Sequence, residues 1–207
     1  NNFALVLQAQ GKLVEAESLY RKSLAIFEKK LAPNHPGLAK ILGNLAEVLQ
    51  AQGKLVEAES LYRKSLAIIE RRLGPDYLDL ARTLGNLALV LRAQGKLVEA
   101  ESLLRKSLAI DEKRLAPDHP DLAKSLGYLA LVLYGQRELA EAESLFRRSL
   151  DIGEKKQDAA FIAITLDNLA LVLAARGKLD EAESLFRKSL EMEEKKLVPD
   201  HLDLAKT

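Results

Sequence analysis

Apolar residues recur along the chain with the period of an α-helix. In residues 39–80, four of them have the i, i+3, i+4, i+7 spacing that forms one face of an amphipathic helix: Leu42, Leu45, Ala46 and Leu49. A second segment, from about residue 55 to residue 72, has a similar spacing. Gly53 stands between them, where glycine can adopt the left-handed conformation that ends a helix. The pattern predicts two amphipathic helices joined by a tight turn.

This two-helix pattern is repeated along the chain at a nearly constant period. Residues 6–26 recur without change at 48–68, and similar copies begin at positions 90, 132 and 172. The copies are spaced by 42, 42, 42 and 40 residues. A fixed period of this size indicates an array in which each unit packs on its neighbours. We therefore predict an all-α fold, an α-solenoid of stacked antiparallel helix pairs.

The period also predicts how the chain is divided. The expected array has a partial repeat at 1–38, repeats at 39–80, 81–122, 123–162 and 163–204, and the start of another at 205–207. Because both ends fall inside a repeat, we expect a fragment of a longer array. The 40-residue unit lacks the L-x-P-D-H-P loop. We expect a shorter connection near residues 157–159 and a changed stagger between the fourth and fifth units.

The repeated motif resembles a known family. Residues 42–68 follow the pattern L-x-x-L-A-x-x-L-x-x-Q-G-K-L-x-E-A-E-x-L-Y-R-K-S-L-A-I, which resembles the tetratricopeptide repeat. The period and the L-x-P-D-H-P loop are most similar to the subtype found in kinesin light chains and in bacterial signalling proteins. The resemblance implies a right-handed superhelix whose first helices line a concave groove, and a role in protein interaction.

The polar face of each first helix carries the candidate binding residues. With Ala39 as position 1, positions 2, 5, 6, 9, 12 and 13 lie opposite the apolar face, and the family resemblance places this face in the groove. Asparagine amides can hold a peptide backbone, and basic side chains favour acidic ligands. The candidates are Lys40, Asn44, Arg82, Asn86, Leu89, Arg92, Lys124, Tyr128, Leu131, Tyr134, Asn168 and Leu171.

Each class of candidate also has a structural interpretation. The asparagines could bond backbone between repeats, the position-9 leucines could pack on the next repeat, and the basic residues could be solvated. The resemblance to kinesin light chains implies a short ligand with an aromatic residue among acidic ones. It also implies no carboxylate clamp for a chaperone C-terminus, because position 9 is Leu or Glu instead of Asn.

Composition and charge exclude several classes of partner. The chain has 31 Lys and Arg against 30 Asp and Glu, and it has no Cys. This balance indicates neither a nucleic-acid nor a membrane partner, and the lack of cysteine removes disulfides and thiolate chemistry.

No motif predicts catalysis or a cofactor. The G-K pairs are followed by Leu, so they form no phosphate-binding loop. Three histidines occupy equivalent loops in different repeats, too far apart to share a metal: His35, His119 and His201. The E-A-E carboxylates recur on every second helix, as solvated or ion-paired faces do. We expect a protein that is not an enzyme.

The sequence thus favours a docking module for an extended, acidic peptide with one large apolar anchor. Two alternatives stay open at this point. One is a structural or self-assembly role, in which uncapped apolar ends associate end to end. The other is a regulatory arm of a larger signalling protein.

Overall fold

The computed structural model describes residues 2–73 and 78–197. Three sequence features lie outside the described residues: the loop at 74–77, His201, and the repeat start at 205–207. The chain divides into two compact units, Asn1–Arg114 and Leu115–Thr207. Each unit is described by itself.

The described residues form helices and no strands. In the first unit these are α1 (Asn2–Ala9), α2 (Leu13–Lys30), α3 (Pro36–Ala51), α4 (Leu55–Leu73), α5 (Leu78–Ala93) and α6 (Leu97–Arg114). In the second unit they are α7 (Pro120–Gly135), α8 (Leu139–Lys156), α9 (Ala159–Ala175) and α10 (Leu179–Leu197). Among these helices, none combines the length and apolar character needed to span a bilayer.

Consecutive helices pack as pairs, which confirms the predicted all-α architecture. Within the first unit α3 packs on α4 and α5 on α6, and within the second α7 packs on α8 and α9 on α10. The apolar residues predicted for α3 are buried, and Ala46 is fully inaccessible, as is Ala58 on α4. Small residues at these positions let the helices of a pair approach closely.

A serine on each second helix also fixes the pair. The hydroxyl of Ser65 donates a hydrogen bond of 2.8 Å to the carbonyl of Ala39. The same bond joins Ser107 to Ala81, Ser149 to Ala123 and Ser189 to Ala163. These buried bonds set the register between the two helices of a pair, and so they position the polar face of each first helix.

The turn within each pair has a left-handed residue, as predicted. Gly53 has a φ of 76°, and three other turn glycines have similar values: Gly11, Gly95 and Gly177. In the α7–α8 turn the equivalent residue is Arg137, with a φ of 70°. This backbone conformation favours glycine, so Arg137 is strained relative to the other turns.

The connection between α8 and α9 is short, as the 40-residue spacing predicts. Only Gln157 and Asp158 separate these helices, whereas five residues, 31–35, separate α2 from α3. Gln157 has a φ of 55° and ends α8. The Asp158 carboxylate accepts a hydrogen bond of 3.1 Å from the backbone N–H of Phe161 and caps α9. The change in stagger expected between the fourth and fifth units stays a prediction.

At this short connection an aromatic ring packs on a glycine, as it does between α2 and α3, but the ring and the glycine have changed places between the two helices. In the first unit Phe27 of α2 lies against Gly37 of α3, where an added Cβ would be 3.2 Å from the ring. In the second unit Phe161 of α9 lies against Gly153 of α8, where an added Cβ would be 2.8 Å from the ring. Gly37 and Phe161 occupy the same position in their repeats, so each pair of positions holds one ring and one glycine.

Candidate functional site

A cavity of about 420 Å³ opens in the first unit, between α3, α4 and α5. Four of the six candidate residues of this unit line it: Lys40, Asn44, Arg82 and Asn86. They come from positions 2 and 6 of two neighbouring repeats, so the helical spacing does bring these positions together. The other two candidates are on the same face of α5 but outside the cavity lining, where Leu89 is half-buried and Arg92 exposed.

Glu47 provides an acidic group in this cavity. The Asn86 side-chain nitrogen donates a hydrogen bond of 3.0 Å to the Glu47 carboxylate, which joins two repeats through their side chains. The candidate set omitted Glu47. A signal was available in the sequence, because position 9 is leucine in the other repeats: Leu5, Leu89, Leu131 and Leu171. A departure from a repeated residue indicates a local requirement.

Two tyrosines on the second helices complete the polar environment of Glu47. Tyr62 of α4 lines the cavity, and its hydroxyl is buried and has no close hydrogen-bond partner among the described residues. Burial raises the pKa of Tyr62 well above its usual range, and the negative charge of Glu47 raises it further. Burial also raises the pKa of Tyr20, with a smaller contribution from Glu47. The candidate set omitted both tyrosines because their helices were assigned to the scaffold.

The charges around the cavity are partly paired. Arg82 forms an ion pair of 2.9 Å with Asp79, one turn earlier on α5. Gly37 occupies the equivalent position on α3, so Lys40 has no such partner, and it forms no ion pair with any other described residue. Lys40 is therefore the basic side chain of this cavity whose charge is available to a ligand.

In the second unit the candidates lie on α7 and α9. Lys124 is paired with Asp121 at 3.0 Å. Three α7 candidates are half-buried and thus present part of their apolar surface to solvent: Tyr128, Leu131 and Tyr134. On α9, Leu171 is 46% exposed, and Asn168 donates a hydrogen bond of 2.9 Å to the carbonyl of Ile164 within its own helix. Asn168 is thus partly engaged by backbone. A groove shared by the candidates of both units stays a prediction.

The histidines have a structural role that the sequence analysis missed. The Nδ1 atom of His35 accepts a hydrogen bond of 3.0 Å from the Gly37 backbone N–H, and His119 accepts one of 3.1 Å from Asp121. Both therefore cap a first helix, and the following proline is the first helical residue, as expected from its missing N–H. Within the described ranges, no group of three or more His, Cys, Asp or Glu residues could hold a metal ion.

The E-A-E carboxylates form an ion-pair ladder along the second helices. Glu17 bonds Arg21 at 2.9 Å and Lys54 of the next repeat at 2.8 Å, while Arg21 also reaches Glu57 at 2.5 Å. The next copy of the ladder contains Glu59, Arg63, Lys96 and Glu99. The copy in the second unit contains Glu143, Arg147, Arg176, Lys178 and Glu181. These carboxylates thus join adjacent repeats, which confirms that they are ion-paired.

Comparison with protein families finds the same repeat throughout the chain. Models described as Tetratricopeptide repeat match residues 1–71, 37–113 and 79–155, and another with this description matches residues 162–203. A comparison with curated proteins finds no match.

Several solved structures have a similar fold. A kinesin-light-chain-like protein of Podosopora anserina with nearly identical TPR-like repeats is 27% identical, with a TM-score of 0.80, and the match covers 94% of this chain and 93% of that one. BtubC (BKLC) of P. vanneervenii is 23% identical, with a TM-score of 0.83 and coverage of 95% and 79%. The apo form of RapI is 20% identical, with a TM-score of 0.82 and coverage of 93% and 68%.

Proposed function

Because the chain belongs to the tetratricopeptide repeat family, whose repeats support a protein-interaction scaffold, we propose that it docks an extended peptide segment. The peptide lies along the polar faces of the first helices and carries acidic residues and one large apolar anchor. The observation that carries this proposal is the cavity in the first unit. It gathers side chains from two repeats that neither helix pair could present alone.

The chemistry of the cavity suits a peptide. Asn44 and Asn86 provide amide groups, which can donate to and accept from a peptide backbone. Ile68 and Ile69 provide an apolar wall against which a ligand side chain can pack. Lys40 provides a positive charge with no ion-pair partner among the described residues. An acidic residue of the ligand would gain from Lys40 without breaking an existing pair.

The second unit supports the same mode of binding with a more apolar surface. Tyr128 replaces the asparagine of position 6, and Leu131 and Leu171 present part of their side chains to solvent. Aromatic rings supply large contact areas at a small entropic cost. We expect a micromolar dissociation constant, which corresponds to a binding free energy of about −8 kcal/mol, because a short peptide loses conformational freedom on binding.

Selection from a peptide library, followed by titration of variants, tests the proposal. Lys40→Glu should weaken binding of a selected peptide about tenfold and reduce its dependence on salt, because that charge is exposed and screened. Leu89→Ala and Leu131→Ala should weaken binding with little change in salt dependence. Lys64→Glu is the matched control, since Lys64 is an exposed lysine on a second helix, outside the cavity lining.

Two results would contradict the docking proposal. One is the selection of peptides that contain no acidic residue. The other is an equal loss of affinity in Lys40→Glu and Lys64→Glu, since this would mean that binding depends on net charge and has no preferred face.

A second candidate function is end-to-end self-association, favoured by exposed apolar residues on α10. Phe186 is 39% exposed, whereas Phe146 at the equivalent position of α8 is 2% exposed. Leu190 is 56% exposed on the same helix. Light scattering over a range of concentrations tests this candidate. If the chain self-associates, its apparent mass should rise with concentration, and the mass of Leu190→Glu should be lower than that of the wild type at the same concentration. A constant monomer mass would exclude this function.

A further inference from the structure

Glu47 differs from the carboxylates of the ion-pair ladder. The ladder residues Glu17, Glu59 and Glu143 are each bound by cations of their own helix and of the next repeat. Glu47 accepts one hydrogen bond, from the neutral Asn86 amide, and it forms no ion pair with the described residues. A carboxylate has about four acceptor positions, so most of its capacity is unused.

Two second helices near Glu47 carry a tyrosine at a position that is apolar in the later repeats. Tyr62 is 1% exposed and lines the same cavity, and its hydroxyl has no close hydrogen-bond partner within residues 2–73 and 78–197. The negative charge of Glu47 also raises the pKa of Tyr20, whose buried hydroxyl likewise has no close partner in the described part of the chain. In the remaining repeats this second-helix position is apolar: Leu104, Phe146 and Phe186. Hydroxyls are therefore present only in the two repeats next to the acidic residue.

A buried hydroxyl without a partner carries a free-energy cost, and so does a half-buried carboxylate without a cation. Both costs would be removed by one ligand group that donates several hydrogen bonds and carries a positive charge. Lys40 does not do this in the structure, because it forms no ion pair with Glu47, which is seven positions further along α3, a rise of about 10 Å. Arg82 is already held by Asp79 at 2.9 Å.

We propose that Glu47 is the centre of a cation subsite that accepts the ammonium or guanidinium group of a Lys or Arg side chain in the docked peptide. The inference rests on the proposed docking function and specifies the ligand further. The Glu47 carboxylate forms an ion pair with the ammonium or guanidinium group, and the oxygen of the Tyr62 hydroxyl accepts a second hydrogen bond from the same group. The expected ligand is then of mixed charge.

The spacing of the two charged groups on α3 sets the spacing within the ligand. A peptide in the extended polyproline II conformation has three residues per turn and advances about 3.1 Å per residue, so residues three positions apart lie on the same side and span about 9 Å, close to the distance of about 10 Å between Lys40 and Glu47. The peptide should therefore carry an acidic residue and a basic residue three positions apart. Lys40 binds the first of these and Glu47 the second.

The probes are end-blocked, fluorescein-labelled heptapeptides that contain one Asp and, three positions away, either Lys or its uncharged isostere norleucine. Both orders of the two residues are made, and binding is measured by fluorescence anisotropy. The wild-type protein should bind the Lys peptide about tenfold more tightly than the norleucine peptide. End-blocked lysine alone is a competitor, and it should displace the peptide only at much higher concentration because it lacks the remaining contacts.

Matched variants locate the effect. Glu47→Gln should remove the preference, so that the Lys and norleucine peptides bind with equal affinity, and it keeps an acceptor for the Asn86 amide. Glu47→Leu, which installs the residue found at this position in the other repeats, should also remove the preference for Lys. Glu70→Gln changes an exposed carboxylate outside the cavity lining and should keep the wild-type preference. Tyr62→Phe should reduce the preference by a smaller factor.

Three results overturn the subsite, and they are distinguishable from failure of the docking proposal. Equal affinities of the wild type for the two peptides, or an unchanged preference in Glu47→Gln, would exclude the subsite. If Lys40→Glu still weakened both peptides, the docking proposal would stand without it. If neither peptide bound, both proposals would be wrong. Displacement by end-blocked lysine at the same concentration as by the peptide would mean that the site takes a small cation and not a peptide side chain.

Discussion

At the scale of single residues, Arg137 occupies a turn position at which the other described repeats have glycine. Its φ of 70° is close to the values of 73° to 78° at those glycines. An L-residue with a Cβ is disfavoured in this region by about 1–3 kcal/mol. A side chain at the glycine positions would meet no atom within 4 Å, so the difference between Arg and Gly there is one of backbone conformation and not of packing.

Arg137→Gly should therefore stabilise the protein by about 1 kcal/mol, because the relief of strain exceeds the extra entropy of glycine in the unfolded chain. Gly177→Arg is the matched control, since it makes the opposite change in the next turn of the same unit. It should destabilise by a similar amount. Urea unfolding monitored by circular dichroism gives both values, and a lower midpoint for Arg137→Gly would contradict the strain argument.

At the scale of elements, Phe27 and Phe161 fill equivalent spaces between consecutive helix pairs, but from opposite sides. One ring fills the space between a second helix and the following first helix, and its partner position is glycine in both cases. The ring is on the second helix where the connection has five residues, and on the first helix where it has two. At Gly153 an added Cβ would overlap the ring, and at Gly37 it would be in tight contact with the ring and with His35 Nδ1.

Gly153→Phe should destabilise the protein by about 1–3 kcal/mol, because its ring would overlap that of Phe161. Phe161→Gly alone should also destabilise, since it leaves the space empty. The double variant reproduces the arrangement of Phe27 and Gly37, so its loss should be smaller than the sum of the single losses by at least about 1 kcal/mol. Thermal or urea unfolding of the four proteins measures this coupling, and additive losses would refute it.

The ion-pair ladder couples neighbouring helix pairs and makes stability depend on pH. Hydrogen bonding to Lys54 lowers the pKa of Glu17 from its ordinary value of 4.5 to about 2, with Arg21 adding to the effect against the opposing effect of burial. Lys96 and Arg63 lower the pKa of Glu59 to about 2 in the same way. Because the folded carboxylates bind protons more weakly than the unfolded ones, acid favours unfolding.

The contribution of the ladder should be complete above about pH 5 and should be lost as the pH falls towards 2. Glu59→Gln should flatten the decline in the urea midpoint between these values, since the amide cannot titrate. The exposed Glu70, which forms no ion pair with the described residues, provides the control Glu70→Gln. Equal pH profiles for Glu59→Gln and the wild type would show that the ladder does not carry the acid sensitivity.

At the scale of the whole molecule, the repeat made most of the fold predictable from sequence. The second helix expected from about residue 55 to residue 72 is Leu55–Leu73, and Gly53 has the expected left-handed conformation. Periodicity is sufficient here because each helix pair buries its apolar face against the neighbouring pairs of its unit. The all-α class could be predicted for the same reason, whereas the sequence left open whether the E-A-E carboxylates are solvated or ion-paired.

The candidate site was less predictable, because it depends on contacts between residues that are distant in sequence. Counting positions on the first helices selected Lys40 and Asn86, which line the cavity, because each lies on the polar face of its own helix. Glu47 and Tyr62 were not selected, because they line one cavity only once α3 and α4 are packed, and the sequence marks only Glu47 as a departure from the repeat. The capping role of His35 was missed because histidine is seldom an N-cap residue.

The central claim is that ligands bind to the polar faces of the first helices, and the side-chain amides of Asn44 and Asn86 report on it directly. Titrating the isotopically labelled protein with a library-selected peptide should shift the NMR signals of these two NH₂ groups in a saturable way. Backbone signals of Lys64 and Lys106, exposed on second helices, should stay unchanged. Saturable shifts at Lys64 and Lys106 with none at Asn44 and Asn86 would contradict the claim.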